Sequence, residues 1–165
     1  MNYSGLILND ITAAPGLCVS FFTQGCPHRC KGCHNPETWN FTGGKEFTQE
    51  TIFELDKNLS SNGIKRNFCI MGGEPLCEEN AWLTNFLVDH VKAYHPETPI
   101  YVWTGYTLEQ LLETKNNSII HILSNIDFLI DGPFIQELKD VTLSMRGSSN
   151  QRIINLQNKE FYDII

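Results

Sequence analysis

The spacing of three cysteines, Cys26, Cys30 and Cys33, constrains this chain more than any other feature. A strand would scatter them, because extended chain rises about 3.3 Å per residue and alternates its side chains between two faces. The stretch Gly25-Cys26-Pro27-His28-Arg29-Cys30-Lys31-Gly32-Cys33-His34 must therefore wrap as a loop. Pro27 fixes one backbone angle and Gly32 frees another, as a tight wrap requires. Such a loop converges three thiolates on one inorganic centre. The apolar run Leu17-Cys18-Val19-Ser20-Phe21-Phe22 delivers the chain straight into it.

A second apolar stretch, Leu6-Ile7-Leu8, precedes that run, with Ala14-Pro15-Gly16 between them, which predicts an N-terminal hairpin or strand pair. Past the loop come Asn35-Pro36-Glu37-Thr38-Trp39 and a flexible Gly43-Gly44. Thr48 caps a helix expected to reach Asn58, with Phe47 and Ile52 as a hydrophobic staple. Ser61-Asn62-Gly63 ends it. Asn67-Phe68-Cys69-Ile70-Met71 reads as a strand covered on both faces, and it stops at Gly72-Gly73-Glu74-Pro75. A helix over 78–94 follows, with Leu83, Phe86, Leu87, Val91 and Tyr94 on one face. The next buried strand lies within 99–105. Thr107 and Gln110 then form the capping box of another helix. Asp127-Phe128-Leu129-Ile130-Asp131-Gly132-Pro133 is a further strand that ends in a turn, with Pro133 placed to start a helix.

This rhythm of strand and helix predicts an α/β fold of mainly parallel strands joined by right-handed crossovers, with the site at their carboxyl ends. The cysteine loop, the Gly72–Pro75 turn, Thr104-Gly105 and Asp131-Gly132 all fall on that rim. At 165 residues a single domain, 1–165, is expected. No apolar run approaches the length of a membrane span, and Met1 to Asp10 lacks the zones of a signal peptide, so a cytoplasmic protein is expected. A net charge of −7 argues against direct nucleic-acid binding. Six cysteines in an unsecreted chain point to metal or redox chemistry rather than disulfides. Cys18, Cys69 and Cys77 sit singly among apolar neighbours and read as small buried hydrophobes.

Two centres suit three thiolates in one loop. With His28 or His34 they make a structural Cys3His zinc site, although such sites usually draw ligands from two separated halves. A cubic iron–sulfur cluster normally takes four thiolates, so three leave one iron open. An open metal position is a catalytic feature.

Cys26-x-x-x-Cys30-x-x-Cys33 resembles the signature of the radical S-adenosylmethionine enzymes, and Gly72-Gly73-Glu74-Pro75 resembles that family's Gly-Gly-Glu-Pro element. The resemblance implies a 4Fe-4S cluster on Cys26, Cys30 and Cys33, whose open iron takes the amino and carboxylate groups of S-adenosylmethionine. Reductive cleavage of the sulfonium then gives methionine and a 5′-deoxyadenosyl radical. Glycines at 72 and 73 let backbone approach that ligand, and Glu74 is expected to accept from its ammonium group. The family often carries an aromatic residue before the third cysteine. Gly32 stands there in this chain, so only the backbone of Gly32 and His34 is expected near the adenine.

The chain is more closely similar to the activating enzymes of anaerobic (class III) ribonucleotide reductase. The likeness runs through Cys33-His34-Asn35-Pro36-Glu37-Thr38-Trp39, Val102-Trp103-Thr104-Gly105-Tyr106, Asp131-Gly132-Pro133-Phe134 and Arg146-Gly147-Ser148-Ser149-Asn150-Gln151-Arg152. The last stretch often begins with Trp in the family, where Met145 stands here. The resemblance implies a partial, open (β/α) barrel whose gap admits a glycine loop of the reductase, on which a glycyl radical is made. Other small radical enzymes, activating a different glycyl-radical protein or modifying a small molecule, are the alternative. Asp131 and Arg146 are candidates for the ribose, the carboxylate or the incoming loop, set against ordinary solvated charge. Thr104 is a weaker candidate of the same kind. No flavin or second-cluster motif is present, so an external low-potential donor such as a flavodoxin is implied. Arg29 and Lys31 offer it a local positive patch. His90, His95 and His121 read as surface or packing residues.

Overall fold

Alternation along four central strands decides which side of the sheet becomes the core and which becomes the site. The computed structural model describes residues 1–157. Within them lie strands β1 (Asn2–Asp10), β2 (Cys18–Thr23), β3 (Lys45–Glu46), β4 (Asn67–Gly72), β5 (Ile100–Trp103), β6 (Phe128–Asp131) and β7 (Arg152–Asn155). Helices α1 (Gln49–Leu59), α2 (Glu78–Tyr94), α3 (Leu108–Glu113) and α4 (Asn117–Asn125) join them. The strands form one open sheet in the order β3-β1-β2-β4-β5-β6-β7.

The central block β2-β4-β5-β6 is parallel and follows chain order. Right-handed crossovers that always step in one direction put every helix on the same face. Val19, Phe21, Phe68, Ile70, Ile100, Val102 and Leu129 point to that face and meet Leu55, Leu83, Leu87, Leu111 and Ile122 of the helices in the main core. The intervening residues, Cys18, Cys69, Tyr101 and Ile130, point the other way and join Ala13 and Ala14 in a small second core. The far side of the sheet is therefore covered by loops rather than helices.

The expected mainly parallel sheet is corrected at its flanks. β1 pairs antiparallel with β2 and β3, and β7 pairs antiparallel with β6, so the sheet is partly parallel, and it is not closed. The N-terminal strand pair forms as the Pro15-Gly16 turn predicts. Lys45–Glu46, next to the glycines read as a flexible stretch, adds instead as a short edge strand.

Three helical expectations also change. α2 buries Leu83, Leu87 and Val91, but Phe86 and Tyr94 are exposed. They stack with Trp82 and His90 in an i, i+4 row along the helix flank. The β5–β6 crossover holds two helices, because Asn116 caps α4 through the Ser118 and Ile119 amides. No helix starts at Pro133. Asn150 Nδ2 donates to the Pro133 carbonyl at 2.8 Å, the acceptor that a helix beginning there would offer to the amide four residues on. A 3-10 turn at Gln136–Leu138 takes the helix's place. The segment beyond Arg152 begins as a strand, and residues 158–165 lie outside the described residues. Cys18, Cys69 and Cys77 are buried, as expected. Among the described residues no helix is long and apolar enough to cross a membrane.

Candidate functional site

The loop-covered side of the sheet opens into a cavity of about 700 Å3 at the carboxyl ends of the parallel strands. That volume is in the range of small-molecule sites. Cys26, Cys30, Cys33 and His34 line it, together with Gly72, Gly73, Glu74, Thr104 and Arg146. Gly32 and Asp131 do not. Gly32 has φ +74° and backs onto the Gln136 side chain.

Backbone bonds lock the cysteine loop to the turn after β4. The Gly25 amide donates to the Thr38 carbonyl at 2.7 Å, and Cys26 N to the Trp39 carbonyl at 3.3 Å. Gly73 N donates to the Thr23 carbonyl at 2.9 Å, and Glu74 N to the Gly25 carbonyl at 2.8 Å. The approach is so close that a Cβ on Gly73 would fall 2.3 Å from the Gly25 oxygen, which accounts for glycine there. Asn80, buried in α2, ties the same two segments: its Nδ2 donates to the carbonyls of Gly25 at 3.1 Å and Glu74 at 3.0 Å.

Glu74 is 1% exposed, and its carboxylate is fully engaged. Oε1 accepts from the Leu76 amide at 2.9 Å and the Thr104 hydroxyl at 2.8 Å. Oε2 accepts from the Gly105 amide at 2.7 Å and lies 2.9 Å from His28 Nε2. Thr104 thus faces the cavity by holding Glu74. Across the cavity, Asp10 closes the turn that brings Thr12 and Ala13 into the wall. Burial would raise its pKa. Hydrogen bonds from the Thr12 and Ser20 hydroxyls and the Thr12 and Ala13 amides outweigh that and hold it below the usual carboxylate value.

The Arg146–Arg152 stretch is clamped onto the turn after β6. Gln151 Nε2 donates to the Gly132 carbonyl at 3.0 Å, while its Oε1 accepts from the Gly147 and Ser148 amides at 2.8 and 3.2 Å. Arg152 binds Asp131 through Nε at 2.9 Å and also chelates Glu109. Asp131 is buried and also accepts from the Leu108 amide at 2.8 Å, so its charge serves the fold. Arg146 is different. Among the described residues its guanidinium donates to the carbonyls of Ser144 and Gln151, each at 3.4 Å, and it faces the cavity.

The sequence reading missed His28 as Glu74's partner, Asn80 and Asp10. Asn80 had a signal: an amide three residues before Leu83 on the buried face of a helix needs partners. Asp10 had one too, since an Asp two residues before Thr12 is placed to close a turn on the Thr12 and Ala13 amides; the His28–Glu74 pairing spans 46 residues and leaves no local trace.

Three thiols on one cavity wall suit a soft iron–sulfur centre. Burial pushes the Cys26 and Cys30 thiols above their ordinary value, so loading the site releases protons. Among the described residues no three His, Cys, Asp or Glu side chains converge as ligands of a single ion. A cubane presents its irons at separate corners and accepts thiolates set farther apart.

Residues 13–154 match the family model described as a 4Fe-4S single cluster domain. The anaerobic ribonucleoside-triphosphate reductase-activating protein of Vibrio cholerae serotype O1 is 39% identical over 154 residues, covering 93% of this chain and 97% of that protein. The proteins of that name from Escherichia coli K12 and enterobacteria phage T4 are 37% and 38% identical, over 95% and 93% of this chain and 100% and 93% of their own lengths. With a three-thiol wall, a Gly-Gly-Glu-Pro turn and that likeness along nearly its whole length, the chain belongs to the family of anaerobic ribonucleoside-triphosphate reductase-activating proteins.

Proposed function

We propose that this protein is a radical S-adenosylmethionine enzyme that makes a glycyl radical on an anaerobic ribonucleotide reductase, and that residues 1–165 form one domain of the partial, open (β/α) barrel type. The observation that carries the reading is the shared cavity: three thiols, the Gly72–Glu74 turn and the end of β5 face one concave space, while His28 Nε2 is held by Glu74. The one-directional strand order and the one-sided helices support the half-barrel. Cys26, Cys30 and Cys33 would hold the 4Fe-4S cluster. When bound, the cluster would pass a low-potential electron from an external donor to S-adenosylmethionine, the chemistry by which a glycyl radical would be made on the reductase.

The chain's own residues bind and orient. The Gly72-Gly73 backbone receives the amino-acid end of the cosubstrate, and Arg146, which lines the cavity as Lys139 also does, serves its carboxylate or the incoming loop. Gly32 and His34 are proposed near the adenine through their backbone, of which His34 is the one on the cavity wall. Asp131, spent on Arg152, acts behind the wall. An external low-potential donor such as a flavodoxin completes the scheme; of the two cations proposed to dock it, Lys31 is exposed but lies 3.6 Å from the Glu137 carboxylate, which leaves Arg29 as the stronger contact.

Anaerobic reconstitution tests the reading. The brown protein, reduced by dithionite, is expected to release 5′-deoxyadenosine and methionine, and then to give the reductase a glycyl-radical signal in electron paramagnetic resonance. A colourless zinc protein without cleavage overturns it. Cleavage that leaves the reductase silent but activates another glycyl-radical enzyme changes the target.

A further inference from the structure

We infer that His28 is a positioning residue acting through Glu74: the pair is a strut that fixes the cysteine loop against the cosubstrate-binding turn. The inference rests on the proposed function for the identity of that cosubstrate. Its geometry stands alone.

A carboxylate offers about four lone-pair sites. All four at Glu74 have partners within the chain, from Leu76, Thr104, Gly105 and His28, at 2.9, 2.8, 2.7 and 2.9 Å. The carboxylate is thus held from every side in a side chain only 1% exposed, a fixed anchor for the His28 ring. His28 in turn sits in a slot shaped for a flat ring. Tyr106 meets it edge-on, with ring centroids 4.4 Å apart, and a Cβ on Gly105 would stand 2.6 Å from its Cδ2. Cys26 and Cys30 each lie two residues from His28. Fixing this ring on Glu74 therefore fixes where both thiolates stand relative to Gly72 and Gly73, across 46 residues of chain.

The test compares His28→Leu, His28→Asn and His28→Gln with the wild-type holoprotein. Glutamine carries its amide nitrogen to about the reach of Nε2, and asparagine stops one bond short. Iron and sulfide per chain are measured first. The dithionite-reduced cluster is then titrated with S-adenosylmethionine and followed by electron paramagnetic resonance. All three variants are expected to load as wild type does, since the thiolates are untouched. His28→Leu and His28→Asn should need about tenfold more S-adenosylmethionine, the effect of one hydrogen bond to a charged group. His28→Gln should titrate near wild type. If His28→Leu does not fold, the asparagine and glutamine variants decide. The inference is overturned if asparagine or leucine titrates as wild type, if glutamine fails as badly as asparagine, or if all three lose the cluster. A wild-type spectrum that ignores S-adenosylmethionine overturns the proposed function and takes this inference with it; a wild-type response matched by His28→Leu overturns the inference alone.

Discussion

Asp131 shows how burial and pairing settle what a charged side chain at a strand end does. Its position after a buried strand made it a candidate for the ligand, yet Arg152 Nε at 2.9 Å and the Leu108 amide at 2.8 Å take its oxygens behind the cavity wall. Asp131→Asn removes the charge and leaves the shape. The cost should be about 1–2 kcal/mol, at the lower end for charged hydrogen bonds because half-exposed Arg152 resolvates. Urea unfolding of the cluster-free, reduced protein measures that loss, and the S-adenosylmethionine titration of the loaded protein should not move. Weakened binding at unchanged stability would return Asp131 to the ligand site. At this scale the sequence was legible where chemistry is local. Cys26, Cys30 and Cys33 announce themselves by spacing, whereas the Glu74 partner is 46 residues away and belongs to another loop. Thr104 looked like a strand end and proves to donate to Glu74.

Helix α2 joins fold and site through its first turn. Its buried face carries Leu83, Leu87 and Val91 into the core, and Asn80 on the same face reaches back to the carbonyls of Gly25 and Glu74. One amide thus holds together the entry to the cysteine loop and the turn after β4. Asn80→Ala removes two hydrogen bonds from carbonyls that each keep a backbone donor, Glu74 N for Gly25 and Cys77 N for Glu74, at about 1–2 kcal/mol for two ordinary hydrogen bonds. The expected result is a lower urea midpoint for the cluster-free protein and less iron retained per chain after reconstitution and desalting. Full stability with full loading would show that the backbone bonds suffice. Elements with strong periodicity or caps were readable: α2 runs over the predicted 78–94, and the Thr107–Gln110 capping box opens α3. The helix expected at Pro133 was not, because its first carbonyl is claimed by Asn150, 17 residues further along the chain, which no local pattern signals. Antiparallel β7 itself is set by the Arg152–Asp131 clamp rather than by pattern.

The whole molecule is one-sided. Helices cover one face of the sheet from end to end, while the other face carries a small core and then the open cavity. Large apolar residues stand out at the cavity's edge, with Ile11 76% and Val141 84% exposed, and Val141 lines the cavity itself. A second exposed set, Trp82, Phe86 and Tyr94, lies on α2, which packs on the helical face of the sheet. If a glycine loop of the reductase must reach the thiol wall, only the first set can be covered by it. Hydrogen exchange on the loaded activator, alone and with the reductase, separates the two. Slower exchange is expected in residues 10–14 and 138–147, which border the mouth and carry few backbone bonds of regular structure. Exchange within α2 should be unchanged. Protection confined to α2 would mean that the partner binds the back of the sheet, where no path leads through the core to the cysteines, and the entry of a glycine through the open face would be lost as an explanation.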